Sequence, residues 1–147
     1  MKKLALTDFA KYRYPSALEL SPDSRYLTFA LKDVDREGDG YRWNLWLYDL
    51  ERRESRQITQ GDDQRKAVWE DNTHILYKTT EPDEALRARG FEEEWTVYHR
   101  LNVCTGEDRE AFRLPMSVSG LWKMDDGRYV FTGETHLDRP NLLELTG

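Results

Sequence analysis

Ser21-Pro22-Asp23-Ser24-Arg25-Tyr26-Leu27-Thr28-Phe29 sets a polar, turn-forming start directly against a run of strand formers. Proline presets φ, while aspartate and serine bond neighbouring amides, so the first four residues predict a tight turn. The aromatic, aliphatic and β-branched residues after it fit a pleated surface. Leu27, Phe29 and Leu31 share one face of that strand, and Tyr26, Thr28 and Ala30 the other. Neither face is strongly polar, which predicts a strand covered on both sides.

The scheme recurs. Forty-eight positions on, Asp71-Asn72-Thr73-His74-Ile75-Leu76-Tyr77 again runs from an acid through small polar residues into aliphatic and aromatic ones, with Trp69 just ahead. A third copy, Asp126-Gly127-Arg128-Tyr129-Val130-Phe131, lies 55 positions beyond the second and matches Asp23 to Thr28. Asp125 is an alternative counterpart, with one extra residue in the turn. A period of about 50 residues is that of solenoids and propellers.

Each copy continues with more strand formers. In the first, residues 43–50 (WNLWLYDL) turn at 51–54 and return through 55–59 towards Gly61. In the second, residues 95–103 turn at 105–108 and return over 109–114, before Pro115. The third has only Asn141 to Leu145 left for its next strand. Between two strands of the second copy, residues 82–89 (PDEALRAR) are helix formers with Pro82 at the start and Gly90 past the end. They predict a short helix in which Asp83 and Arg87 are spaced to pair.

Four antiparallel strands per repeat describe the blade of a β-propeller. The expected fold is therefore all-β: a partial propeller of about three four-stranded blades, with one short helix inserted in the second. Blade boundaries fall near 14–61, 62–117 and, incompletely, 118–147. Blades bury their faces against neighbouring blades, which gives the 26–31 strand a reason for two apolar faces. Trp43, Trp46, Trp69, Trp95 and Trp122, at strand spacing, are expected to be interblade core. The chain reads as a fragment of a longer one, and an arc with open strand edges predicts self-association.

Composition narrows the partners. The 147 residues are 38% hydrophobic, 12% aromatic and 34% charged, a globular mixture in which large rings must carry much of the burial. A net charge of −6, with basic clusters no longer than pairs such as Lys2-Lys3 and Arg52-Arg53, argues against nucleic acid. No stretch approaches the roughly 20 apolar residues of a membrane span, and the amino terminus is too short for a signal-peptide core. Cys104, the single cysteine, leaves no disulfide within the chain and points to a cytoplasmic location.

SPDSRYLTF followed by NLWLYDL and RQITQG, with Trp69 ahead of EDNTHILY, resembles the amino-terminal propeller of the prolyl oligopeptidase family of serine peptidases. The resemblance is to its acylaminoacyl- and dipeptidyl-peptidase-like branch, and the lead-in LTDFAKYRYPSALELSPDS extends it from Leu6 onward. Ser24 stands where the family has glycine, the second copy lacks Ser-Pro, and the third has Met124-Asp125. The resemblance implies a carboxy-terminal α/β-hydrolase domain with a Ser-Asp-His triad, its serine in a Gly-x-Ser-x-Gly elbow. No two glycines here are four positions apart, so that elbow is not in this chain. No catalytic residue is expected, and the chain alone is expected to be inactive.

Other candidate chemistry is sparse. His74, His99 and His136 lack a nucleophile at any recognisable spacing and read as packing or surface residues. Asp33, Asp35, Glu37 and Gly38 echo a calcium loop, but the twelfth position is Asn44 and strands flank it, so a solvated hairpin tip is expected and no metal. No cofactor is expected. Glu92-Glu93-Glu94 is the notable acidic run. Dipeptidyl-type relatives hold a substrate's free amino terminus with a pair of propeller glutamates, which makes Glu93 and Glu94 the candidate substrate-binding pair.

The expected function is thus the non-catalytic propeller portion of a serine peptidase, gating access and helping to select short peptides for the hydrolase domain. A TolB-like module that binds a protein partner is the alternative. A ring closed by several copies of the chain is a third.

Overall fold

The opening turn forms as its residues dictate. Ser24 N–H donates to Ser21 O (2.8 Å), Ser21 N–H to Tyr26 O (2.8 Å) and Arg25 N–H to the Asp23 carboxylate (3.1 Å). Ser24 adopts φ 59°, the left-handed region that favours glycine. Gly127, at φ 84°, takes the same place in the third copy, where Asp126 accepts from Arg128 N–H (3.0 Å). The copies therefore align on Asp126, not Asp125. In the second copy Asp71 gathers the amides of Thr73 (2.7 Å) and His74 (2.8 Å).

The structure, a computed structural model, describes residues 11–35, 38, 40–90 and 94–134. Strands β1 (Tyr14–Leu20), β2 (Tyr26–Asp35), β3 (Gly40–Asp49) and β4 (Glu54–Gln57) form an antiparallel sheet in that order. β5 (Ala67–Trp69), β6 (His74–Pro82), β7 (Glu94–Asn102) and β8 (Asp108–Leu114) form a second, and β9 (Ser117–Lys123) pairs with β10 (Tyr129–Glu134). Among the described residues this is two whole blades and the first hairpin of a third, a partial β-propeller. The expected strand at Asn141 to Leu145 lies outside the described residues.

Alternation along β6 builds the core. Ile75 and Tyr77 join Tyr26, Ala30, Leu45, Leu47, Ala67, Trp69, Leu101 and Val103 between the first two blades. Leu76 points the other way and meets Tyr98, Met116, Val118 and Leu121 between the second and third. Ile75 and Leu76 are both fully buried, so β6 is apolar on two faces because it walls two interfaces at once. Thr28 and Ala30 of β2, also fully buried, face the second blade.

Two expectations are corrected. The eight-residue helix shrinks to one turn, α1 (Glu84–Arg87), held by Asp83 as N-cap: its carboxylate accepts from Leu86 N–H (3.1 Å). Arg87 takes Glu84 as its carboxylate (3.8 Å), since capping directs Asp83 inward. A turn this short is marginal without the burial of Leu86. The tryptophans are not uniformly interblade core. Trp69 is, stacked on Tyr26 with centroids 6.4 Å apart. Trp46 instead stacks on Phe29, Trp43 lies under Arg65, and Trp122 is 46% exposed, folded over Gly120.

Candidate functional site

The turns β1–β2, β3–β4, β5–β6 and β7–β8 gather at one end of the sheets, and two polar clefts open there. The first lies between blades one and two. Its floor is Leu47, Tyr26 and Val103, its cavity measures about 360 Å³, and Arg25, Arg52, Arg56 and Cys104 stand around it. Arg56 reaches from β4 across the junction to donate to Val103 O. Tyr26 Oη and Cys104 Sγ are 3.7 Å apart, and that bond, aided by burial, pushes the Tyr26 phenol up. Above the cleft Asp23 N–H donates to Asn72 Oδ1 (3.1 Å), tying the two opening turns together.

The second cleft, about 400 Å³, lies between blades two and three. Glu70, its side chain only 9% exposed, accepts two bonds from Arg100, one of them at 2.7 Å, and a third from Tyr129 Oη. Lys123 adds a bond to Glu70 O. Burial alone would raise the Glu70 carboxyl, but the bonds from Arg100 and Tyr129 outweigh it and hold the group below its usual range. Burial and the Glu70 carboxylate push Tyr129 up to about 12. Beneath this clasp Thr96 Oγ1 donates to Met116 O (2.7 Å) and accepts from Val118 N–H (3.0 Å), while Lys78 donates to Val118 O (2.5 Å).

Of the candidate amine-binding pair, the described member, Glu94, sits at the other end of the sheet. Glu94 opens β7 opposite Pro82 and is exposed, whereas Glu93 lies outside the described residues. The neighbouring carboxylates Glu81 and Glu110 are bridged by Arg113 at 3.3 Å and 2.6 Å. His136 also lies outside the described residues. His74 bonds Asp71 (3.0 Å), and His99 stacks on Tyr77 and faces Asp108 (3.4 Å). No serine or cysteine completes a relay with either among the described residues. Nor, among those residues, is any group of three or more His, Cys, Asp or Glu side chains placed to hold a metal ion. No helix there is long and apolar enough to cross a membrane.

Sequence reasoning missed both clefts. Arg25-Tyr26 and Arg128-Tyr129 offered a signal, since the same dipeptide after each turn sends a cation to the rim and a ring inward. Nothing local announced that Glu70 would meet Tyr129, 59 positions away.

No family model matches the chain, and no curated protein matches it in sequence. Solved structures do. The acylaminoacyl peptidase of Pyrococcus horikoshii superposes over 90% of this chain and 19% of its own length, with TM-score 0.66 and 12% identity. The β-propeller domain of the Trilobed protease from Pyrococcus furiosus, described as having an open velcro topology, superposes over 84% of this chain and 34% of its own, with TM-score 0.58 and 14% identity. This chain thus spans a minor part of either neighbour. The likeness establishes the fold, part of a β-propeller of the kind found in these peptidases.

Proposed function

We propose that the chain is the amino-terminal propeller portion of a serine peptidase of the prolyl oligopeptidase family, restricting access to a hydrolase domain carried elsewhere in the same protein and helping to select short peptides. The observation that carries this reading is the superposition of nine-tenths of the chain on a peptidase propeller. The ordered SPDSRYLTF, NLWLYDL and RQITQG motifs, which resemble the same family, support it independently. In this reading the protein is cytoplasmic, in keeping with one exposed, unpaired thiol at Cys104. Glu93 and Glu94 are carried forward as the pair that meets a substrate's amino terminus.

The test is hydrolysis of peptide p-nitroanilides by the protein with its following sequence attached. Turnover sensitive to a serine reagent is expected there, and none from residues 1–147 alone. A following sequence without Gly-x-Ser-x-Gly would overturn the reading in favour of a TolB-like binding module. Glu93→Gln with Glu94→Gln should raise KM for substrates with a free amino terminus and leave acetylated ones unchanged; equal effects on both would remove the pair from the site.

A further inference from the structure

We propose that the cleft between the first two blades is a carboxylate-binding site with Arg25 as its main ligand. This stands on the cleft alone and holds whether or not the chain belongs to a peptidase. The Arg25 side chain is 40% exposed; its Nε–H is buried against the protein without a hydrogen-bond partner, so the Nη end of the guanidinium is the part a ligand in the cleft can meet.

The rest of that side chain is held ready. Its guanidinium lies 5.1 Å over the Tyr26 ring, which fixes its plane. Of the carboxylates around it, Glu51 is at ion-pair distance (3.4 Å), stands on a turn and is 69% exposed, so it can swing aside, while Asp49 and Asp23 act on Arg25 from further off. Asp49, on the same wall, is already taken: its carboxylate accepts from the amides of Glu51 and Arg52, both at 3.0 Å. Those amide bonds, that of Arg52 foremost, hold the Asp49 carboxyl below its ordinary value, whereas Arg52 Nε stays 3.9 Å from it. Glu54 is an exposed rim residue. Arg25 and Arg52 thus face a 360 Å³ cavity with an apolar floor of Leu47 and Val103.

A planar acceptor with two oxygens suits the guanidinium fork. A volume at the lower end of small-molecule sites admits a carboxylate on a short aliphatic stem. A free dicarboxylate and a glutamyl side chain of a polypeptide both have that chemistry.

Cys104, on the cleft wall, reports occupancy. Its alkylation by iodoacetamide should slow saturably with succinate, or with the capped peptide acetyl-Gly-Glu-Gly-amide, at constant ionic strength. Whichever protects at lower concentration identifies the source. Arg25→Ala should weaken protection about tenfold, the size of one charge-assisted hydrogen bond. Arg25→Lys, which keeps the charge and loses the planar pair of Nη donors, should weaken it too, and Arg109→Ala, away from this cleft, should not. Equal slowing by sodium chloride or by the glutaminyl peptide would overturn the proposal. So would full protection in Arg25→Lys or in an Arg25→Ala protein with the parent's circular dichroism.

Discussion

The two blade junctions solve one problem with different chemistry. Between the first two blades, ten buried apolar residues meet, with Trp69 stacked on Tyr26 at the centre. Between the second and third, five do, among the described residues, with Val68, Ala111, Phe112, Leu114 and Tyr129 half-buried beside them, and a polar set is added: the Glu70 clasp, the Thr96 bonds and Lys78. Apolar burial is insensitive to pH and direction, whereas a buried carboxylate is worth having only while its partners stay charged and aligned. The first junction resembles a domain core, and the second a latch laid over a smaller one.

The contrast breaks most severely at Ile75. Ile75→Ala should remove about 4 kcal/mol of unfolding free energy, because a fully buried side chain leaves a cavity walled by two blades. Urea unfolding should show the loss in the midpoint with little change in slope. Glu70→Ala should cost about 2 kcal/mol by leaving Arg100 and Tyr129 without their acceptor. Hydrogen exchange should then quicken in β9 and β10 while β2 and β6 keep their protection. Equal quickening throughout would show that the junctions melt as one.

Acid should separate them without mutation. The Glu70 carboxyl titrates lower in the folded state than its ordinary 4.5, so its contribution is present above that pH and lost as pH falls through the folded value. Tyr129 works in the opposite direction. Its phenol is raised from 10.0 to about 12, so its contribution is complete below pH 10 and disappears as pH climbs through about 12. Exchange in β9–β10 should therefore rise first on the acid side. The smallest effect belongs to Ser24→Gly, which relieves a left-handed φ and should stabilise the first blade by about 0.5 kcal/mol, read as a rise in Tm.

Blade periodicity was legible because it rests on local chemistry. Asp23, Asp71 and Asp126 each bond amides within three residues of themselves, so the turns need nothing from afar. Two covered faces were expected of the 26–31 strand alone, although Ile75, Leu76 and Tyr77 of β6 carry the same signal as consecutive apolar side chains. What a single sequence hides is which outward residues meet a neighbouring blade. Trp69 and Trp122 look alike in the chain, yet one is buried and the other half exposed, since burial depends on the sheet alongside. Both clefts failed to show for the same reason: Arg25 and Cys104, or Glu70 and Tyr129, come together only through stacking. The helix was overread because propensity counts residues and not the turns they can close.

The alternation of β6 also bears on how such a chain can change its length. Deleting one residue between Ile75 and Tyr77 would exchange the side chains offered to the two junctions, inverting both in a single event. Loss or gain of residues is therefore barred from the strand and diverted to its ends. The β6–β7 connection, residues 83–93, is already longer than its β2–β3 counterpart, residues 36–39, and carries α1. Novelty in lineages of this chain should accumulate at that rim, as lengthened loops, while the opposite rim, tied turn to turn by Asp23 and Asn72, stays constant in size.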